Sequence, residues 1–293
     1  MKITSEEIRK SYPLTPRAVG MFDDDPIGVY SKYDKMNIVD MQGKVLFSYE
    51  PDHYLLMQVC FVNPYYILVV GGDYITANRI KVFNLKTKEW EFERLEIDCG
   101  DMMEACIAIH HSKPIVAIYR NDGVEIIDIK KRKTIELIAN AESIAFCENG
   151  EILHTNFETL FLRSNSVDNQ KIIDIPLNNG FCDDVVMSFS NQNNAVVISP
   201  LGSRMMVYNL GSKELKYLDK PKSQAYSIEF TPDDKFISVS LFRESYLVEL
   251  ETGQEITIED FEYLDTTRWQ DGYIIVLGEK SIRKVELNTL SIK

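Results

Sequence analysis

The sequence lacks the long apolar runs and the paired cysteines that would point to a membrane or secreted protein. No window approaches about 18 uncharged apolar residues, and residues 1–15 are interrupted by charges, so we expect no membrane span and no secretory signal. The five cysteines include no Cys-x-x-Cys pair, which argues against a disulfide framework. We therefore expect isolated thiols and a cytoplasmic location.

Basic residues are also scarce, because 32 Lys and Arg stand against 45 Asp and Glu, for a net charge of −13 at pH 7. Binding to nucleic acids or to anionic membranes depends on neutralising phosphate with cations. For this acidic protein we expect no nucleic-acid partner and no membrane partner. Its hydrophobic content of 45% is that of an ordinary globular protein.

Long helical patterns are missing from the chain. Its apolar runs are short, rich in Val, Ile, Tyr and Phe, and separated by Gly, Asn, Asp and Pro, which is typical of an all-β protein. We predict a single domain over residues 1–293, in which residues 1–12 are an N-terminal extension or a closing strand.

One pattern recurs along the whole chain: an apolar strand that ends in a polar residue, a tight turn, and another strand. The interval from the first of these polar residues to the last spans six periods of 41 residues, with one copy, at 159–175, carrying a longer loop at 165–169. The polar residues are Asp40, Asn84, Asp128, Asn209, Glu249 and Glu286.

A second pair of strands precedes each copy, and the second strand of the pair is nearly all apolar, as expected of a strand buried on both faces. Seven units of four strands predict a seven-bladed β-propeller of four-stranded antiparallel blades. The last copy ends at Lys293 after the short strand 290–293. We therefore expect the chain ends to close the ring, with Lys2–Thr4 as a possible added strand.

Two segments carry a resemblance to known repeats: DDKFISVSLFRESYLVELETGQEI at 233–256 and NDGVEIIDIKKRKTIEL at 121–137. They resemble the repeats of WD-repeat-like propellers, although pairs such as Val39-Asp40 and Ile127-Asp128 stand where that family has Trp-Asp. The resemblance implies a non-catalytic scaffold that binds a protein or peptide partner through its loops. Lactonase-type bacterial propellers have a similar repeat, so the alternative is a lactonase or hydrolase with a site at the channel mouth.

Candidate catalytic and metal-binding residues are few, and we expect no cofactor and no metal. His110 and His111 are adjacent on a strand and therefore point to opposite faces. The acidic run Asp23–Asp25 reads as a turn equivalent to residues 232–234. An enzyme would have to draw on His154, Asp122 and Glu244. Trp90 and Trp269 read as packing residues within the blades.

A distributed set of cations is more informative than any single motif. In a propeller, the loops joining the second and third strands of the blades meet at one rim of the central channel. Six of the seven predicted blades carry a cation there, and the neighbouring loops between blades are acidic. We predict a cationic rim that binds an acidic partner or a small anion; the alternative is salt bridging between loops. The rim residues are Lys32, Lys35, Arg79, Arg120, Arg204, Arg243 and Lys280.

The chain also has one concentrated basic run, at residues 130–133. It lies between the last two strands of the third predicted blade. Four cations at a hairpin tip usually form a solvated turn, which also discourages pairing between strand edges. We therefore interpret this run as a turn and not as a separate binding site.

Overall fold

The structure is a computed structural model. It describes residues 15–23, 25–32, 35–49, 55–62, 65–73, 76–95, 107–110, 112–120, 122–147, 151–156, 158–164, 167–175, 185–190, 192, 194–200, 204–218, 225, 227–231, 233–240, 245–257, 266–270, 273–277 and 282–286. The chain divides into two compact units, one of residues 1–104, 243–245 and 258–293, the other of residues 105–242 and 246–257. Within the described ranges there is no helix with the length and hydropathy of a membrane span.

The first unit contains two four-stranded antiparallel blades and one three-stranded sheet. Blade 1 consists of β1 (Thr15–Phe22), β2 (Asp25–Lys32), β3 (Lys35–Asp40) and β4 (Val45–Tyr49). Blade 2 consists of β5 (Leu55–Val62), β6 (Tyr66–Asp73), β7 (Thr76–Asn84) and β8 (Glu89–Leu95). The last sheet of the chain contains three further strands, which are numbered here in chain order after those of the second unit: β25 (Thr266–Gln270), β26 (Tyr273–Leu277) and β27 (Ile282–Glu286).

The second unit contains four blades of four antiparallel strands. Blade 3 consists of β9 (Ile107–Ile109), β10 (Ile115–Arg120), β11 (Gly123–Asp128) and β12 (Lys133–Ala139). Blade 4 consists of β13 (Ser143–Phe146), β14 (Ile152–Thr155), β15 (Thr159–Ser164) and β16 (Val167–Asp174). Blade 5 consists of β17 (Val185–Phe189), β18 (Ala195–Pro200), β19 (Met206–Asn209) and β20 (Leu215–Tyr217). Blade 6 consists of β21 (Ser227–Phe230), β22 (Phe236–Ser240), β23 (Ser245–Glu249) and β24 (Glu255–Thr257).

These sheets confirm an all-β propeller of four-stranded antiparallel blades. The expected count of seven such blades is wrong for the described residues, because six sheets have four strands and the last has three. The predicted fourth strand of the last sheet, at 290–293, and the proposed closing strand Lys2–Thr4 lie outside the described residues. The longer loop expected at 165–169 is also wrong, since β16 already begins at Val167 and the β15–β16 pairing absorbs two register shifts.

The core lies between neighbouring blades, where their apolar strands face one another. In blade 2, Ile67–Val70 of β6 are fully buried, and all six residues of β18 in blade 5 are buried, which confirms the prediction for these two second strands. Blades 1 and 2 share one apolar cluster, blades 4 and 5 a second, and blades 5 and 6 a third. Each fully buried Ile, Leu or Val side chain contributes about 1.5–3 kcal/mol to the free energy of unfolding.

The last sheet packs against the first blade within the first unit. β1 contacts β25 and β26, and β2 contacts β27. Ile282 of β27 joins Val19, Tyr30 and Val39 of blade 1 in a buried apolar cluster. The chain therefore brings its last described sheet onto its first.

In four of the described repeats the polar marker residue, Asp40, Asn84, Asp128 or Asn209, caps the turn between the third and fourth strands. Asp40 Oδ1 accepts hydrogen bonds from the backbone N–H groups of Gln42 and Lys44, both at 2.9 Å. Asn209 Oδ1 accepts equivalent bonds from Gly211 at 2.9 Å and Ser212 at 2.8 Å. Short Asp and Asn side chains make such local bonds readily, so the periodicity in the sequence reports this recurring turn.

Candidate functional site

Five of the seven predicted rim cations lie in described residues, and each stands within three residues of the end of a second strand or the start of a third strand. Lys32 is the last residue of β2 and pairs in register with Lys35, the first residue of β3. Arg79 lies near the start of β7, opposite Gly71. The antiparallel order of each blade brings these strand ends to one edge of its sheet.

In the second unit, cations also stand near the end of a second strand or the start of a third strand. Arg120 is the last residue of β10, and Arg204 lies just before β19, which begins at Met206. Arg243 and Lys280 lie outside the described residues. The described cations are thus divided between the two units, and the rim as a whole stays a prediction.

Arg120 already has partners within its own blade. Its Nη1 lies 3.0 Å from Glu125 Oε2, and its Nε lies 3.1 Å from Asp122 Oδ1. The side chain of Glu125 is only 2% exposed. The hydrogen bond to Glu125, reinforced by the charge of Asp122, raises the pKa of Arg120 despite the opposing effect of burial. Arg120 therefore has a structural role within blade 3, because its ion pair with Glu125 stabilises the burial of that carboxylate.

Thr134 of β12, itself exposed, completes the network around buried Glu125, because its hydroxyl also donates a hydrogen bond to Glu125. Sequence reasoning missed the network. A signal was present, since Glu125 interrupts the otherwise apolar start of the third strand, VEII at 124–127. A charged residue is seldom fully buried unless it is paired, so its place in that strand required a cation nearby.

Arg204 differs from Arg120 because its side chain is exposed. Lys35 and Arg79 are half-buried. A guanidinium in an exposed position offers planar donors that match a carboxylate. Among the described cations at this edge of the blades, Arg204 is the one best placed to meet an acidic group from another molecule.

The basic run at 130–133 forms the turn between β11 and β12, as predicted. Lys130, Lys131 and Arg132 are exposed, and Lys131 Nζ lies 2.9 Å from Asp128 Oδ2. Burial alone would raise the pKa of Asp128, but hydrogen bonds from the side chain and the backbone of Lys131 outweigh burial and lower that pKa. One cation of the run is therefore paired locally.

The residues considered for an enzyme are not brought together as a described site. His154 is buried in β14 and stacks on Phe161, with ring centroids 5.1 Å apart. Asp122 is engaged by Arg120, and Glu244 lies outside the described residues. Over the ranges that the structure covers, no group of three His, Cys, Asp or Glu side chains is arranged to hold a metal ion.

The other histidine and carboxylate motifs have structural places. His110 follows β9, is buried, and lies 5.5 Å from the ring of Phe146, while His111 lies outside the described residues. Asp23 stands in the turn between β1 and β2 with a φ of 49°, and Asp234 has a φ of 55° in the equivalent turn of blade 6. The interpretation of Asp23–Asp25 as a turn is confirmed for Asp23, whereas Asp25 already begins β2 and Asp24 lies outside the described residues.

The predicted packing residues and thiols also have described positions. Trp90 packs against the core of blades 1 and 2, with its ring 4.5 Å from that of Tyr49, which confirms its packing role. Of Trp269 the structure describes the backbone, in β25. Cys60 and Cys147 are free thiols, and burial raises the pKa of Cys147 far above its usual range. Cys99, Cys106 and Cys182 lie outside the described residues.

No protein-family model matches the chain, and a search of curated proteins finds no significant match to its sequence. The blades and their strand-end cations must therefore be interpreted on their own chemistry.

Proposed function

We propose that this protein is a non-catalytic interaction scaffold that binds an acidic segment of a protein partner through the loops joining the second and third strands of its blades. One observation carries the proposal: a cation stands at or within three residues of this strand end in blades 1, 2, 3 and 5. The resemblance of segments 121–137 and 233–256 to the repeats of WD-repeat-like propellers supports the same use of the loops.

The physical basis is electrostatic focusing on a rigid frame. The second strands are buried on both faces, so the loops between strands project from a packed core. Cations repeated at one edge of such a frame raise the local concentration of an acidic ligand and speed its association. Exposed Arg204 would contact a carboxylate directly, whereas Arg120 is held by Glu125 and Asp122.

Affinity capture from native lysate followed by mass spectrometry tests the proposal, with wild type, Arg204→Glu and Lys213→Glu as baits at low and high salt. Lys213 is an exposed cation in the turn at the other end of β19, so it matches Arg204 in blade and in charge. We expect a protein captured by wild type and by Lys213→Glu but lost with Arg204→Glu and at high salt. Equal capture by all three baits would contradict the proposal.

We also propose that the chain ends supply a fourth strand beside the three described strands of the last sheet and so close the blades into a ring. The contact of the last sheet with blade 1 supports this arrangement. Closure removes exposed sheet edges, which would otherwise pair with other chains. Deleting the first ten or the last ten residues should then lower the melting temperature of the whole protein. Truncations that melt like wild type would refute closure by the chain ends.

A further inference from the structure

The outer strand of blade 3 carries exposed apolar side chains in the middle of a sheet edge. β12 is the end strand of the order β12-β11-β10-β9. Ile135 is 50% exposed and Leu137 is 43% exposed. A strand at the edge of a sheet also presents backbone N–H and C=O groups that can pair with another strand. β12 therefore combines an apolar surface with a template for strand addition.

The other described outer strands differ from β12 in length, in polarity, in packing or in the charge of the turn that precedes them. β20 and β24 have three residues each, which is short for strand addition. In β8, Trp90 packs into the core of blades 1 and 2. In β4, Phe47 and Tyr49 pack there while Val45 and Leu46 are exposed, but the turn before β4 carries a single cation, Lys44. β16 has the largely polar sequence VDNQKIID. Proteins commonly blunt their edges by such shortness, coverage or polarity.

The basic run at 130–133 forms an exposed turn, as described above, and its charge disfavours pairing with most strands; because it stands at the start of an apolar edge, the same charge also determines which segments could pair with β12. Residues 130–133 supply four cations against the single carboxylate of Asp128, which leaves a net charge of +3 at the turn. Further along the strand, Glu136 forms an ion pair with Arg163 of β15. The edge is therefore positive at its first end and neutral along its length, in a protein whose net charge is −13.

We propose that β12 is a docking edge for an extended segment of another protein, which adds to blade 3 as an antiparallel strand and carries acidic residues at its C-terminal side. The antiparallel direction places the C-terminal side of that segment beside the turn that precedes Lys133. Apolar side chains of the segment cover Ile135 and Leu137, and its carboxylates meet the cations of the turn. This surface is separate from the strand-end cations and does not depend on them.

The register of β12 locates the pairing. The β11–β12 ladder shifts between Ile126 and Ile127, so that Ile135 is the extra residue of a bulge, and pairing is regular from Glu136 to Ala139. A bulge bends a strand and increases its twist. The added strand is therefore expected to pair along Glu136–Ala139, with its acidic end beyond the bulge, where basic segments would be repelled.

A fluorescent synthetic peptide of alternating valine and threonine, followed by a run of aspartates at its C-terminus, tests the proposal by fluorescence anisotropy. We expect it to bind wild type, and to bind the double variant Lys130→Glu/Lys133→Glu about tenfold more weakly. Ile135→Ser/Leu137→Ser should weaken binding by a similar factor. Melting temperatures measured alongside confirm that these exposed substitutions leave the fold intact.

Matched controls separate this edge from general charge attraction. Lys213→Glu/Tyr217→Ser makes the same kinds of change in the equivalent turn and outer strand of blade 5, and should bind the peptide like wild type. A peptide with its aspartates at the N-terminus should bind more weakly. Absence of binding to wild type, equal loss with the blade 5 variant, or loss with Arg204→Glu would each overturn the proposal. Sedimentation of wild type without peptide would reveal self-association through β12, and that result would also overturn the proposal of an acidic partner segment.

Discussion

The turn between the third and fourth strands gives the sharpest test of the repeat, because each described copy places one residue in the left-handed region of φ. In blade 6 this residue is Gly253, with a φ of 74°, and in blade 5 it is Lys213, with a φ of 60°. Both donate their backbone N–H to the carbonyl of the residue four positions earlier, Glu249 or Asn209. The two turns therefore have the same geometry with different residues.

The expected magnitude follows from the backbone alone. A Cβ added at Gly253 would meet no atom within 4 Å, so Gly253→Ala introduces no clash. The left-handed region destabilises the folded state of a residue with a side chain by about 1–2 kcal/mol. Replacing glycine also reduces the conformational freedom of the unfolded chain, which stabilises the folded state by about 0.4–1 kcal/mol. Gly253→Ala should lower the free energy of unfolding by about 0.5–1 kcal/mol, and Lys213→Gly should raise it by a similar amount.

Urea denaturation and thermal melting measure both changes, with melting shifts of about 1–2 °C in opposite directions. Ser212→Gly is the matched control, because Ser212 precedes Lys213 in the same turn but has a negative φ. It should be destabilising, since glycine there adds freedom to the unfolded chain and removes the hydrogen bond that the Ser212 hydroxyl donates to Glu214. If Lys213→Gly destabilises the protein as Ser212→Gly does, the left-handed assignment of this turn is wrong.

Three further predictions concern single interactions. Arg120→Gln leaves the buried carboxylate of Glu125 without its cation and should lower the free energy of unfolding, measured by urea titration, by about 3 kcal/mol. Adding Glu125→Gln should recover part of that loss. An unchanged urea midpoint in Arg120→Gln would show that the ion pair is dispensable. Burial raises the pKa of Glu142, so ionisation of this side chain opposes folding. Glu142→Gln should therefore raise the melting temperature at neutral pH, and this gain should vanish as the pH falls to 4.5, the ordinary pKa of a glutamate, and below. A gain that is independent of pH would contradict this cause. Asn209→Ala removes two bonds to the turn and should cost about 1 kcal/mol of unfolding free energy, whereas Asn209→Asp should cost less; equal losses would argue against the capping role.

Much of the fold was predictable because its periodicity has a local cause. Asp40 and Asn209 recur because a short polar side chain must cap each tight turn, and β6 and β18 are apolar because blades cover both of their faces. The number of four-stranded blades was not predictable in the same way. The last fourth strand rested on the short segment 290–293, which carries little pattern of its own.

The positions of the candidate site residues in the blades were predictable from the sequence, but their burial and their ion-pair partners were not. Topology alone places Arg120 and Arg204 at the same strand end of their blades. Which cation is engaged within the protein depends on contacts between strands, such as the approach of Glu125 to Arg120, that sequence spacing does not reveal. The exposure of Ile135 and Leu137 likewise depends on β12 being an uncovered edge.

Carbodiimide crosslinking of the captured complex tests the central claim most directly, because the reagent joins lysine amines only to carboxylates in contact with them. If an acidic partner binds the loops between second and third strands, its Asp and Glu residues should crosslink to Lys32 and Lys35. The lysines of the opposite turns, Lys44, Lys88 and Lys213, should remain free of partner crosslinks. Crosslinks confined to those opposite turns would contradict the proposed binding face.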